Sequence, residues 1–535
     1  MNDTPARLGK PIESAVDGEN NPIEFDLAYR LQNRPQEAVE ALRQQHGDSI
    51  FILPISGGSC GGGIFRLESR PPGKVIGLRL DPPAEPRTSF GQEVDLTGVD
   101  IDQIIIDPAN RQVYAGAAIT LGQLNRTLRE NLGESWRVPG ADLTSYQYAA
   151  VGATFMTGGM GPQRRYFSDS VVAIALYDGI DTVIVNGDRL KGYAGTYGWS
   201  GMVSAVACRY HQFPVNEVAF TLPVSNDPKM LARLLARLAP CTAFQCGSEN
   251  TVNSHGNSDL ILGIEHVSVQ SMQPLLNQQS RNPASARCAR LRDQCQLAGA
   301  EGLVFVSGLT DQSADAFLAT LTDDPDADEP RIGGIALEHA ELFHNPEEMR
   351  DLREAIPYAA RMQTPKYRYL YKNHSDATVR MTGEQVEPTM RRLWEANCRY
   401  VNAVQALFDA EADLYGEVLV YGHLNPQGVD PHNRVTLACD NEAVFTRTQQ
   451  QLKELRAEFY RALANLCQSG EAKFIGGEKT ADSERAIFNA LGGTEQAPTE
   501  LRQRFEQQQQ TVKSAAPMFN WRARAPYGNY HHCSN

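Results

Sequence analysis

The amino-acid sequence predicts an α+β fold, and two patterns of apolar residues support this fold class. Between about residues 34 and 215, a helical segment is followed by several short apolar strands. Between about residues 216 and 440, strands alternate with amphipathic helices, a rhythm typical of a split βαβ sheet. We expect a first domain over residues 1–215, a second over residues 216–470, and a C-terminal segment, residues 471–535, that returns to the first domain.

In the first domain, local patterns predict the elements one by one. Residues 35–45 have the apolar spacing of a helix, and residues 50–55 form an apolar strand. Residues 104–118 alternate like two strands joined at a turn. The remaining predictions are a helix at 122–131, a strand at 171–177, a turn at 186–188, and an apolar strand after the glycine-rich residues 195–203.

In the second domain, two strand-helix pairs stand out. A strand at 219–224 leads into a helix at 230–238, and a strand at 303–309 leads into a helix at 313–321. Polar and turn-forming residues predict loops at 250–258 and 323–330. Leu452, Leu455, Phe459, Leu463 and Leu466 recur at helical spacing and predict one long helix whose apolar stripe packs in the core.

Composition limits the classes of function. The chain has 535 residues, of which 41% are hydrophobic and 21% charged, so it can bury a full core. Its net charge of −14, without any run of Lys and Arg, argues against nucleic-acid and anionic-membrane partners. No apolar run is long enough to span a bilayer, and the ten cysteines are scattered like free thiols in a reducing compartment. We expect a cytoplasmic protein with a small-molecule substrate.

Two glycine-rich segments, residues 54–63 and 151–162, indicate a bound cofactor. Glycine permits positive φ and carries no Cβ, so successive N–H groups can surround a phosphate or approach a planar ring. Either segment alone is equally well explained as a flexible loop or a tight turn. As an ordered pair they predict one site built from two loops. The dinucleotide fingerprint G-x-G-x-x-G between strand and helix and the G-K-[S/T] of a phosphate-binding loop are both absent.

Five segments then occur in order along the chain: RPQEAV at 34–39, LPISGGSCGGG at 53–63, VYAGAAITLGQLN at 113–125, Pro139-Gly140 with residues 152–166, and GTYGWSGMV at 195–203. Together they resemble the FAD-binding domain of the vanillyl alcohol oxidase and p-cresol methylhydroxylase (PCMH) superfamily. The resemblance implies a PCMH-type FAD-binding domain of two subdomains, followed by a substrate-binding cap domain with an antiparallel sheet covered by helices.

The same resemblance assigns residues to the flavin. Amides of the first segment, with the Ser59 hydroxyl, would bind the pyrophosphate, and the second segment would pass close to the flavin. The implied FAD-binding residues are Ser56, Gly57, Gly58, Ser59, Cys60, Gly61, Pro139, Gly140, Gly152, Thr157, Gly158, Gly161 and Val203. Many relatives attach FAD through a histidine where this chain has Ser59, so we expect non-covalent FAD.

In the second half, residues 345–357 and the segment around Tyr371-Lys372 resemble D-lactate and D-2-hydroxyglutarate dehydrogenase-type flavoproteins. This resemblance implies that Arg353 and Lys372 hold a substrate carboxylate, Arg353 with two parallel hydrogen bonds. The residues alone also fit a second interpretation, in which Arg353 is a helix-surface arginine paired with a neighbouring acid.

Residues 421–433 resemble a segment of the same group whose two histidines bind a divalent metal ion. The metal implied here is Zn or Mn. Here these histidines are His423 and His432, and Glu478 would be a third ligand. The histidines are nine residues apart where the family has seven, and Lys479 stands where the family has a histidine. The alternative is that His423 and His432 are hydrogen-bonded side chains, either of which can act as a base.

The sequence therefore predicts an FAD-dependent oxidoreductase that oxidises the alcohol of a small D-2-hydroxy acid. The base would be His423, His432 or Lys479, and the electron acceptor oxygen, a quinone or an electron-transfer protein. The oligomeric state stays open, a homodimer included. Two alternatives are a flavin oxidase acting on a phenol, alcohol or sugar, and a protein that keeps FAD without turnover.

Overall fold

The computed structural model describes residues 10–15, 23–56, 71–141, 145–247, 251–278, 284–324, 327–362, 365–375, 378–381, 386–476 and 499–520. The chain divides into two compact units. The first contains residues 1–161, 165–212 and 499–535, and the second contains residues 162–164 and 213–498.

The first unit begins with eleven described strands and four helices. The strands are β1 (Leu27–Arg30), β2 (Ile50–Ile55), β3 (Lys74–Arg79), β4 (Arg87–Phe90), β5 (Gln103–Asp107), β6 (Gln112–Gly116), β7 (Trp136–Arg137), β8 (Val171–Tyr177), β9 (Thr182–Asn186), β10 (Met202–Arg209) and β11 (His211–Gln212). The helices are α1 (Pro35–His46), α2 (Leu121–Leu132), α3 (Val151–Thr157) and α4 (Leu190–Tyr193).

These strands form a parallel sheet in the order β1-β3-β2 and a larger sheet in the order β4-β5-β6-β10-β8-β9. In the larger sheet only β4 and β5 run parallel among the described pairs. One apolar core joins both sheets to helices α1 and α2, with Leu42, Ile52, Ile104 and Leu124 among its buried members. The first unit therefore consists of two subdomains that share one core.

The second unit is built around β12 (Asn216–Val224), β15 (Leu260–Ser268), β16 (Gly302–Thr310), β19 (Glu341–Phe343), β20 (Tyr369–Ser375), β22 (Leu414–His423) and β23 (Asp430–Cys439). Shorter strands are β13 (Phe244–Cys246), β14 (Thr251–Asn253), β17 (Arg331–Ile332), β18 (Ile335–Ala336), β21 (Thr378–Met381) and β24 (Ala472–Gly476). The helices are α5 (Pro228–Leu238), α6 (Val269–Leu276), α7 (Ala284–Leu297), α8 (Ala314–Leu321), α9 (Pro346–Met362), α10 (Val386–Asp409) and α11 (Glu442–Gln468).

The main sheet of this unit has seven strands in the order β19-β12-β16-β15-β22-β23-β20, and all its described pairs are antiparallel. Strands β12 and β15 flank β16 and are parallel to each other, and helix α5 lies in the connection between them. This arrangement is the split βαβ unit that the sequence predicts, so that prediction is confirmed.

One face of this sheet packs against α6, α7 and α9. Val267, Leu303 and Phe305 of the sheet share an apolar cluster with Met272 of α6 and Leu352 of α9. Side chains alternate between the two faces along a strand. His266, next to Val267, accordingly lies on the opposite face, where its ring meets the edge of Trp394 of α10.

The C-terminal helices α12 (Thr499–Ser514) and α13 (Pro517–Asn520) belong to the first unit. Helix α12 packs on α4, and α13 packs on β2. A Cβ added to Gly192 of α4 would come within 2.6 Å of the Thr511 hydroxyl, so the absence of a side chain lets α12 approach this closely.

Most elements predicted from the sequence are confirmed within a few residues at either end. The glycine-rich residues 151–157 are an exception, because they form helix α3 where a loop was predicted. Val151 and Phe155 are buried, and a Cβ on Gly152 would stand 2.7 Å from that of Ala117, so tertiary packing outweighs the cost of a helical glycine, about 1 kcal/mol. The predicted loop at 250–258 is also partly wrong, since its first residues form β14, which pairs with β13.

None of the helices within the described ranges is both long and apolar enough to cross a membrane.

Candidate functional site

The first predicted flavin segment begins at the end of strand β2. Ser56 follows Ile55 and is half-buried, whereas Gly57, Gly58, Ser59, Cys60 and Gly61 lie outside the described residues. Pro54, the second-last residue of β2, is in contact with the closing glycine segment. A Cβ on Gly198 would come within 2.9 Å of the Pro54 ring, and Gly198 has a φ of +79°.

The second segment is joined to the closing segment by backbone hydrogen bonds. Helix α3 ends at Gly158, whose φ of +65° is left-handed. A Cβ there would lie 3.4 Å from the Cα of Gly195. The N–H of Gly195 donates to the Phe155 carbonyl over 3.2 Å, and the N–H of Tyr197 donates to the Met156 carbonyl over 2.7 Å.

Pro139 and Gly140 are also held against the second segment. The Ser170 hydroxyl donates to the Pro139 carbonyl over 2.7 Å. Gly140 has a φ of +74°, and a Cβ there would lie 3.1 Å from the carbonyl oxygen of Tyr166. Through Gly152, whose N–H donates to the Ala117 carbonyl over 3.2 Å, the segment at 113–125 is attached as well.

Three predicted flavin-binding residues of the first unit remain: Gly161, Val203 and Thr157. Gly161 is buried, and Val203 is buried within β10, opposite Leu176 of β8. The Thr157 hydroxyl donates to the Ala153 carbonyl over 2.9 Å inside helix α3. The structure therefore brings four predicted flavin segments together, while the amides of the first loop lie outside the described residues.

The predicted substrate-binding residues lie in the second unit. Arg353 is on α9, Lys372 on β20, His423 at the end of β22, and His432 on β23. Glu478 and Lys479 lie outside the described residues.

A carboxylate that the sequence analysis did not single out joins two of these residues. The Glu265 Oε2 lies 2.8 Å from Arg353 Nε, and its Oε1 lies 3.1 Å from His423 Nδ1. All three side chains are buried, with exposures of 3% for Arg353, 6% for Glu265 and 8% for His423. We call Arg353, Glu265 and His423 the Glu265 cluster.

A second group, which also contains an arginine, a carboxylate and a histidine, lies nearby. The Asp430 Oδ2 is 3.9 Å from Arg164 Nη2 and 3.8 Å from His432 Nδ1. Arg164 also donates from Nη2 to the Thr378 hydroxyl over 2.7 Å. We call Arg164, Asp430 and His432 the Asp430 cluster.

Strand register explains why the two clusters are neighbours. Glu265 of β15 pairs with His423 of β22, which in turn pairs with Asp430 of β23. Cross-strand partners lie on the same face of a sheet, so one row of the sheet carries a carboxylate, an imidazole and a second carboxylate. Tyr421 and His432 form the next row, and their rings stack with centroids 4.8 Å apart. We call the face that carries these residues the histidine face.

Further along β22 and β23, the histidine face carries more charged residues. Thr436 pairs with Glu417 on one side and with Lys372 on the other, and Arg434 lies two residues before Thr436. Burial raises the pKa of Glu417, against the opposing influence of Arg434, Tyr415 and Lys372. Burial, followed by the neighbouring Glu417, raises the pKa of Tyr415 to about 12. Lys372 is half-buried and Arg434 is fully buried.

The metal predicted at His423 and His432 finds no further support. Within the described parts of the chain, no three His, Cys, Asp or Glu side chains are grouped so that they could hold a metal ion. The third predicted ligand, Glu478, lies outside those parts, so the metal stays a prediction.

Sequence reasoning missed Glu265, Arg164 and Asp430 as members of the site. One local signal pointed to Glu265: with His266 it interrupts the apolar pattern of the strand LILGIEHVS, and every residue of this strand is buried. A charged residue in such a strand needs a partner. The sequence does not name that partner, since Arg353 and His423 lie 88 and 158 residues further along the chain.

No protein-family model matches this sequence, and no curated protein matches it. Solved structures do. Alkyldihydroxyacetonephosphate synthase is 12% identical, over 82% of this chain and 72% of its own length, with a TM-score of 0.54. 6-Hydroxy-D-nicotine oxidase from Arthrobacter nicotinovorans is 14% identical, over 97% of this chain and 98% of its own length, with a TM-score of 0.51. This likeness confirms the predicted fold class, an α+β PCMH-type domain joined to a second domain with an antiparallel sheet covered by helices.

Proposed function

We propose that this protein is an FAD-dependent oxidoreductase that oxidises the alcohol group of a small hydroxy acid. FAD is supported by the convergence of the glycine segments in the first unit. A Cβ on Gly152 would come within 2.7 Å of Ala117, and one on Gly198 within 2.9 Å of the Pro54 ring, so each glycine lets two of the predicted flavin segments approach closely. The same fold occurs in a protein whose name, 6-hydroxy-D-nicotine oxidase, states an oxidation.

The substrate class is supported by the charge of the histidine face. Within the Glu265 cluster and within the Asp430 cluster, one arginine faces one carboxylate, so the charges balance. Lys372 and Arg434 lie near the carboxyl of Glu417, whose pKa is raised by burial. Cations on this face are groups that can hold the anionic group of a substrate.

Of the two cations expected to hold the carboxylate, Lys372 lies in the row of Thr436, six residues along the sheet from the row of His423, a span of about 20 Å at ~3.3 Å per residue. One small substrate cannot reach both Lys372 and His423. Arg353 Nε lies 2.8 Å from Oε2 of Glu265. Arg434, which is nearer to the row of His423 than Lys372 is, is the cation that we assign to the substrate carboxylate.

The proposed chemistry divides between cofactor and chain. Bound FAD supplies the acceptor for the hydride that leaves the alcohol carbon. His423 accepts the hydroxyl proton, and the Glu265 carboxylate, 3.1 Å from its Nδ1, stabilises the imidazolium that forms. Arg434 orients the substrate through its carboxylate, which selects the enantiomer that is oxidised.

Anaerobic titration of the purified protein tests this function. The protein should carry a flavin that acid precipitation releases into solution, because attachment is non-covalent. D-2-hydroxy acids should bleach the flavin absorbance, and the corresponding neutral amides should not. Equal bleaching by neutral alcohols, phenols or sugars would favour the alternative oxidase, and a bound flavin that no donor reduces would favour a protein without turnover.

A further inference from the structure

The C-terminal helix α12 contacts two of the predicted flavin segments along a single stripe. Arg504, Gln508 and Val512 are spaced by four residues, so their side chains lie on one face of the helix. The central carbon of the Arg504 guanidinium lies 4.9 Å from the ring centre of Tyr166, at the end of the second segment. Val512 shares a small apolar cluster with Trp199 of the closing segment, and Gln508, between the two contacts, is only 4% exposed. One face of α12 thus spans both segments.

Gln508 holds one side of the peptide group at which the closing segment begins. Its Nε2 donates to the carbonyl of Ala194. The N–H of the same peptide group, that of Gly195, donates to the Phe155 carbonyl of α3 over 3.2 Å. Because a peptide group is planar, these two hydrogen bonds fix its orientation from both sides. A Cβ on Gly195 would come within 3.0 Å of Gln508 Nε2, so the glycine leaves room for the amide.

The turn that follows this peptide group has a left-handed backbone at three positions. The φ angles of Gly195, Tyr197 and Gly198 are +77°, +54° and +79°. Glycine adopts this conformation readily, whereas the Cβ of Tyr197 makes it unfavourable there. The Tyr197 ring packs against the cluster of Trp199 and Val512. Helix α12 therefore contributes packing that stabilises a strained turn of the closing segment.

We propose that Gln508 is a positioning residue for FAD, and that the docking of α12 and the binding of FAD stabilise each other. This inference rests on the proposed function, in which FAD is the ligand of the glycine segments. If FAD binds the conformation of the closing segment that α12 holds, each must favour the other by the same factor. Of the sixteen residues of α12, only Leu501, Phe505 and Val512 are apolar, so the helix depends on the contacts of its docked face.

A purely structural role for Gln508 makes a different prediction. If its hydrogen bond only fastens α12 to the first unit, its loss lowers stability equally with and without FAD, and the dissociation constant of FAD does not change. Gln508→Leu removes the amide donor and keeps a side chain of similar size. Gln510→Leu is a matched control, because it makes the same replacement at an exposed position of the same helix.

Titration of the apoproteins with FAD, followed by flavin fluorescence, separates the two roles without any turnover. We expect Gln508→Leu to raise the dissociation constant of FAD by about 10- to 100-fold, the effect of leaving a buried carbonyl without its donor. Gln510→Leu should stay within about twofold of the wild type, as surface substitutions do. A Gln508→Leu variant that binds FAD as tightly as the wild type would overturn the positioning role.

Amide hydrogen exchange of the wild type measures the linkage even if Gln508→Leu does not fold. Addition of FAD to the apoprotein should slow exchange in residues 499–514 as well as in residues 195–203. Slowing in residues 195–203 without any in residues 499–514 would overturn this inference and leave the proposed function standing. A wild type that binds no FAD would contradict both, so the two failures are distinguishable.

Discussion

The Glu265 cluster and the Asp430 cluster contain the same three residue types but differ in how tightly these are connected. In the Glu265 cluster the carboxylate lies 2.8 Å from the arginine and 3.1 Å from the histidine. In the Asp430 cluster the corresponding distances are 3.9 and 3.8 Å, beyond hydrogen-bonding range. The comparison shows that matching charges on one face of a sheet do not by themselves give matching functions.

Backbone geometry explains part of this difference. Arg164 has a φ of +55°, rare for a residue other than glycine, and its Cβ lies close to Gly428. From that position its guanidinium donates to the Thr378 hydroxyl at 2.7 Å. The ring of His432 is oriented instead by stacking on Tyr421. One histidine thus lies beside a carboxylate at 3.1 Å, and the other is stacked on an aromatic ring.

The largest expected effect separates the two histidines. His423→Gln should lower the rate of flavin reduction by about 10²–10⁴, because it removes the proposed proton acceptor. His432→Gln should lower the rate of flavin reduction by about tenfold or less, since it removes only the ring that stacks on Tyr421 and no proton acceptor of the reaction. Stopped-flow reduction under anaerobic conditions, with flavin content checked for each variant, measures both rates. Equal losses would remove the functional distinction between the clusters.

The two arginines should differ in their contribution to stability. Arg353→Met leaves Glu265 buried without its close cation and should lower the free energy of unfolding by about 3–5 kcal/mol. Arg164→Met loses chiefly the charge-assisted bond to Thr378, at about 1.5–3 kcal/mol. Urea unfolding followed by circular dichroism measures both, and Met keeps the β-carbon at position 164, so backbone strain is the same before and after. A larger loss for Arg164→Met would contradict this assignment of tight and loose pairs.

His266, on the opposite face, shows what burial does to a histidine without a carboxylate partner. Neither of its ring nitrogens has a hydrogen-bond partner among the described residues, and burial lowers its pKa to about 3. The unfolded chain then binds a proton that the folded chain does not, between about pH 6.5 and pH 3. His266 should therefore reduce stability as pH falls through this window, by up to about 1.4 kcal/mol per pH unit.

Replacing His266 by Phe tests this dependence. Phe retains an aromatic ring beside Trp394 and removes the titrating group. Urea midpoints measured from pH 7 to pH 4 should fall less steeply in His266→Phe than in the wild type. Parallel curves would show that His266 is protonated at an ordinary pH in the folded protein.

The smallest expected effect concerns the stacked ring. Tyr421→Phe keeps the contact with His432, whereas Tyr421→Leu removes it, so only the second should destabilise the protein beyond the loss of buried area, by about 0.5–1.5 kcal/mol. Thermal melts of the two variants, compared with the wild type, measure the difference. If both variants melt alike, stacking does not orient His432.

The fold could be predicted from local sequence patterns to a greater extent than the site could. Helix α5 and the strands β12 and β16 follow from apolar spacing and turn residues within short windows. Helix α3 was missed because its glycines suggest a loop, and its packing on Ala117 is not visible in a local window. The Glu265 cluster depends on strand register between β15 and β22, and register is fixed by long-range packing that one sequence does not display.

We propose that a flavin bound to this chain oxidises a hydroxy acid with His423 as proton acceptor. The most direct test is the rate of anaerobic flavin reduction by a D-2-hydroxy acid, measured for the wild type with protium and with deuterium at the alcohol carbon, and repeated for His423→Gln. We expect bleaching of the flavin band that deuterium slows and that His423→Gln nearly abolishes. A flavin band unchanged by every hydroxy acid, or bleached as fast in His423→Gln as in the wild type, would contradict it.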